Sequence, residues 1–131
     1  MLSYEELIKN GVKMKEEKII KIRKSMNSQL KEKGLITIVD TFMDIGILDK
    51  LDYEKWRKGQ ISYLEKVCKG NLHKLSETVK EIYKYSQELR LLQRHTFYKK
   101  YGKGKIKLRF SKLGQEKIEE RYACTFIQNK I

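Results

Sequence analysis

Lys99, Lys100, Lys103, Lys105, Lys107, Arg109 and Lys112 fall within fourteen residues, interleaved with Phe97, Tyr98, Tyr101 and Phe110. Residues of these types in this pattern fit one chemistry. Ammonium and guanidinium groups meet phosphates, and aromatic faces stack on unpaired bases. Between Tyr101 and Lys105 the run Y-G-K-G-K adds glycines that let backbone N–H groups approach a phosphate. Tyr98 and Tyr101 are the aromatics expected at the surface, and Phe110 is expected inside. Arg57, beside Lys58, would extend the same basic surface. The expected binding set is therefore Lys99, Lys100, Lys103, Lys105, Lys107, Arg109, Lys112, Tyr98, Tyr101 and Arg57.

The charge of the chain is concentrated there. Net charge is +13 over 131 residues, from 30 basic and 17 acidic side chains. No acidic residue occurs between Glu88 and Glu116, a segment of 27 residues that holds nine of the basic ones. The remainder carries 21 basic against 17 acidic residues, close to balance. A partner rich in negative charge follows, DNA or RNA first and an anionic membrane surface second. An acidic protein partner is the alternative.

Other chemistries find little support. Cys68, His73, His95 and Cys124 match no zinc-finger or ribbon spacing. Cys68 and His73 are five residues apart across Gly70 and Asn71, with no third group to orient them. Acidic residues are scattered, without the D-x-D or E-x-x-H arrangements of metal-dependent hydrolysis. No catalytic residue, metal ligand or cofactor is expected. The chain has no apolar run long enough to span a membrane, and M-L-S-Y-E-E-L lacks the features of a secretory signal. With two cysteines, a cytoplasmic chain with reduced thiols is expected.

Several elements must position the basic stretch. Lys105–Lys112 reads K-I-K-L-R-F-S-K, placing Ile106, Leu108 and Phe110 on one side of a strand and Lys105, Lys107 and Arg109 on the other. Tyr122–Ile127 suits a second strand pairing with it. Upstream, Ser3 and Glu6 form a capping box, and Ile8, Val12, Ile19, Ile22, Met26 and Leu30 make a helical stripe ending at Gly34. Gly11 leaves open one helix over 4–33 or two. That stripe is also a candidate seam for a homodimer.

Thr37 and Asp40 begin a short helix to Ile45, apolar nearly all round, and Asp52 caps a turn through Trp56 to Gly59. Trp56 is expected to anchor the packing. Ser62 with Glu65 opens a helix to Gly70, and Asn71 caps the clearest helix, over 71–93. Thr96 caps a single turn, and 115–121 forms a short helix. Two helices meeting at Gly59 would make a helix-turn-helix, although Tyr63–Lys69 offers only Lys66 and Lys69 as cations.

W-R-K-G-Q-I-S-Y-L-E, from Trp56 to Glu65, together with L-R-F-S-K, from Leu108 to Lys112, resembles a pattern of small uncharacterised bacterial proteins. The likeness covers roughly residues 40–127. It implies a shared domain and no activity. That pattern commonly has proline where this chain has Ser62, so the turn before Tyr63 is expected to differ.

The expected fold is mainly α: one domain over 1–131 with five or six helices and a short C-terminal two-stranded antiparallel ribbon, with a winged-helix arrangement as one version. Within it, 1–34 form an N-terminal helical arm, 35–95 a helical core, and 96–131 the basic ribbon and C-terminal segment.

Overall fold

Apolar residues at three- and four-residue steps make Lys13–Lys33 a helix, α1. The computed structural model describes residues 13–129, with side chains from residue 16 onward. Ser3, Glu6, Ile8, Gly11 and Val12 lie outside the described residues. Gly34 ends α1 with φ +73°, donating its N–H to the Leu30 carbonyl at 2.9 Å. Strand β1, Leu35–Thr37, follows directly. Thr37 then caps α2, Ile38–Asp44, its side chain accepting from the Asp40 N–H at 3.0 Å. Ile38, Val39, Thr41 and Phe42 are buried, the central placement expected for this helix. Buried Gln29 ties α1 to this turn. Its amide donates to Thr41 Oγ1 at 2.8 Å, and its carbonyl accepts from the Thr37 N–H at 3.0 Å.

Helix α3, Lys50–Arg57, starts after Asp49, one turn before the expected cap at Asp52. Helix α4, Leu72–Glu88, is capped as expected by Asn71, which accepts from the Lys74 N–H at 2.9 Å. It ends five residues short of the expected 93. Arg90 turns the chain at φ +56°, and Leu92–His95 become strand β2. Helices α1 and α4 run side by side in the same direction. Arg23 meets Glu81 at 3.1 Å, and one turn further on Tyr85 donates to Asn27 at 3.0 Å. Ile22 and Met26 pack with Leu75, Val79 and Ile82 in the common core. Of the stripe considered for a homodimer, Ile22 and Met26 are thus used within one chain.

Helix α5, Glu116–Tyr122, leads into strand β3, Cys124–Ile127. The sheet is antiparallel in the order β1-β3-β2, with β3 central and buried. Tyr83 of α4 meets Phe126 of β3 edge to face, ring centroids 5.0 Å apart. The chain is therefore mainly α, with five α-helices and a small three-stranded sheet among the described residues.

The sheet corrects the expected ribbon. Tyr122–Ile127 does contain a strand, but its partners are β1 and β2, and 105–112 pairs elsewhere. Thr96 caps no turn; its N–H extends the β2–β3 pairing to the Ala123 carbonyl at 2.8 Å. The helix expected from Ser62 is one 3-10 turn, Leu64–Val67. A winged helix would carry its reading helix at that place.

Met26 is fully buried between α1 and its neighbours, so Met26→Ala should lower unfolding free energy by about 2–5 kcal/mol in urea. Because the stripe packs within one chain, that loss should not vary across a roughly hundredfold range of protein concentration. A loss that shrinks as concentration rises would place the stripe between two chains.

Candidate nucleic-acid interface

Backbone pairing gives the basic stretch its geometry. Lys99 and Lys107 form an antiparallel bridge, flanked by bonds from Lys100 N–H to the Ile106 carbonyl and from Leu108 N–H to the Tyr98 carbonyl, both 2.8 Å. These bonds make 99 and 107 a non-hydrogen-bonded pair, the kind whose side chains lie closest. The arms are joined through Gly102 and Gly104, at φ +108° and +92°, which glycine adopts without strain. Alternation puts Phe97, Lys99 and Tyr101 on the same side as Lys105, Lys107 and Arg109. Tyr98, Leu108 and Phe110 point the other way and are buried. Ile106 shares their parity but is 56% exposed, because the hairpin end projects past the core.

Three contacts seat the hairpin on α3. The Tyr101 N–H donates to the Arg57 carbonyl at 2.7 Å, and Arg57 Nε donates to the Lys99 carbonyl at 3.3 Å. The Trp56 indole N–H donates to the Arg109 carbonyl at 2.9 Å.

The rest of the second arm is held by two carboxylates and the 3-10 turn. Leu64 and Glu65 donate their N–H groups to the Arg109 and Phe110 carbonyls at 3.1 and 2.8 Å. Buried Glu119 accepts from Phe110 N–H at 2.7 Å, Ser111 N–H at 2.8 Å and the Ser111 hydroxyl at 2.6 Å. Glu65 accepts from the Lys112 N–H at 2.8 Å and the Tyr122 hydroxyl at 2.6 Å. Beneath the arm, Phe110 lies 5.0 Å from Trp56, stacks on Tyr122 at 5.6 Å, and meets Tyr98 edge-on at 5.3 Å. The segments 56–65 and 108–112, singled out in the sequence, are therefore joined to each other, and their residues build the seat.

The expected site residues divide. Lys99, Lys103, Lys105 and Lys107 are exposed, and none forms an ion pair among the described residues, where the ion pairs involve Arg23, Lys33, Lys69 and His73. Lys100 is half-buried, its stem lying over Gly59, where an added Cβ would come within 2.8 Å of Cε. Arg109 is turned back on its own loop. It donates to the Ser111 carbonyl at 2.7 Å and to the Lys112 carbonyl, with the guanidinium 5.4 Å from the Tyr63 ring centre. Lys112 lines a separate groove with Leu72, Leu113, Ile118 and Arg121. Arg57 lies over the Tyr101 ring at 4.5 Å and donates to the Tyr53 hydroxyl at 2.7 Å.

Tyr98 is a correction. Expected at the surface, it is 8% exposed, because cross-strand register sets it beside buried Leu108 against Trp56. Tyr101 is 43% exposed, as expected. Phe97, left out of the expected set, is 55% exposed on the lysine face. Its parity with Lys99 and Tyr101 was the available signal.

The thiols sit apart from this face. Burial, with Glu65 and Asp52 nearby, pushes Cys68 up to about 12, and burial also raises Cys124. Both therefore remain thiols rather than nucleophilic thiolates near neutral pH. No group of three His, Cys, Asp or Glu side chains among the described residues is placed to hold a metal. No helix among them is long and apolar enough to cross a membrane. Compared with models of protein families, with curated proteins and with solved structures, the chain matches none.

Burial also pushes Tyr98 up to about 12, and it raises Tyr122, which donates to Glu65. A phenol with a raised pKa holds its proton more firmly folded than unfolded. Its contribution to stability is intact below about pH 10 and is lost as pH climbs toward about 12. Denaturation midpoints should therefore fall across that window, and Tyr98→Phe should flatten the fall. An unchanged slope in Tyr98→Phe would remove Tyr98 from this account.

Proposed function

We propose that the chain binds nucleic acid, without catalysis, through the outward face of the 97–109 hairpin. One observation carries the reading: Lys99, Lys103, Lys105 and Lys107 are exposed on a firmly seated hairpin with no carboxylate paired to them among the described residues. Cations of one sign gathered on an ordered backbone attract a polyanion, and the cost that remains on binding is the ordering of their side chains. Arg57 supports this face from behind, while Lys100, Arg109 and Lys112 add to the local positive field.

Four phosphate contacts on duplex DNA give a slope of log K against log salt of about −3.6, and on a single strand about −2.8. Fluorescence polarisation across salt measures either. Replacing Lys99, Lys103, Lys105 and Lys107 with Gln should abolish most binding. The same loss of charge at Lys21, Lys24, Lys31 and Lys84, exposed on α1 and α4, should weaken it far less. Equal effects from the two sets would mean that only net charge matters, and the hairpin would lose its role.

A further inference from the structure

We propose that the nucleic acid recognised by this face is single-stranded, with one base stacked on Phe97 and another on Tyr101. The inference rests on the nucleic-acid reading above and goes beyond it in naming the form of the ligand. Its basis is the placement of aromatic rings that the fold leaves outside.

The segment 97–110 contains four aromatics, and the core takes only two. Tyr98 and Phe110 fill the space around Trp56, whereas Phe97 and Tyr101 are left 55% and 43% exposed. They flank Lys99 along one arm, two residues to either side. In extended chain that is a separation of roughly 13 Å. Lys107 lies directly across from Lys99, and Lys105 follows on the second arm. A strand laid along the hairpin can therefore place a phosphate between the two lysines and a base on each ring.

The two rings are prepared differently. Arg57 covers one face of Tyr101 at 4.5 Å and is itself fixed by Tyr53 and the Lys99 carbonyl. The ring is thus held in place for stacking on its remaining face, and the guanidinium adds positive charge behind it. Phe97 has no polar atom and can contribute only its ring face. A duplex keeps its base faces inside the stack and would offer these rings only sugar and phosphate. An unpaired base supplies a matching π surface.

The test is polarisation binding of labelled oligothymidylate and oligouridylate of about twelve nucleotides, within the span one small module covers, against a duplex of the same length. Phosphatidylserine vesicles form the third arm. Wild type should prefer the single strands. Phe97→Leu and Tyr101→Leu should each weaken single-strand binding about tenfold, within the range for one stacked base, while leaving duplex binding nearly unchanged. Phe97→Tyr and Tyr101→Phe, which keep the rings, should bind like wild type, and circular dichroism should show every variant folded. Equal binding of duplex and single strand by wild type, or Leu variants that bind single strands normally, would overturn the single-strand proposal and leave the broader reading intact. Binding to neither nucleic acid, or to vesicles alone, would overturn both.

Discussion

The hydrogen bond from the Trp56 indole to the Arg109 carbonyl is the constraint on which the basic face depends. The arm from Leu108 to Lys112 has no strand ladder to satisfy it beyond the single bridge at Lys107. Buried backbone groups without partners are costly, so others must supply them. Here they come from one indole, two backbone N–H groups of a 3-10 turn, and the carboxylates of Glu65 and Glu119. Rings packed around Trp56 add burial to this network and exclude water from it. The hairpin is held by side chains and by backbone bonds to α3 and the 3-10 turn rather than by a sheet, and its orientation follows from theirs.

That arrangement also sets the charge of the surface. Glu65 and Glu119 lie beside the lysine-rich arm, yet both are committed to N–H and O–H donors beneath it. They serve as structural acceptors and form no ion pair with the outward lysines. Lys99 and Lys107 are left opposite each other, an arrangement that costs stability in an antiparallel pair. A bound anion relieves that repulsion, and added salt screens both effects. The physical cost of the face and its proposed use have the same origin.

Much of this was legible in the sequence, and the misses have specific causes. Period-two alternation from Lys105 to Lys112 correctly separated Leu108 and Phe110 from Lys105 and Lys107. Alternation names faces but not partners, so it could not exclude β3 as the neighbour. Nor could it find the projecting end that exposes Ile106. Tyr98 and Tyr101 look alike in sequence, and only the register opposite Leu108 distinguishes them. The end of α4 carries no glycine or asparagine; Arg90 takes the left-handed conformation instead, while Leu91 and Leu92 prolong the apparent helical spacing. The Ser62–Glu65 pattern was misleading because Glu65 is drawn into the Lys112 and Tyr122 contacts. Where local signals were strong, as at Gly34, Thr37 and Asn71, the element began or ended as they indicated.

The most direct measurement is amide chemical-shift mapping during titration with a short nucleic acid. Perturbations should concentrate between Phe97 and Lys107, with a smaller effect at Arg57 and none along the exposed side of α1. Shifts centred on α1, or on the groove lined by Leu72 and Leu113, would contradict the account: the ligand would then be bypassing the face that Trp56, Glu65 and Glu119 hold in place.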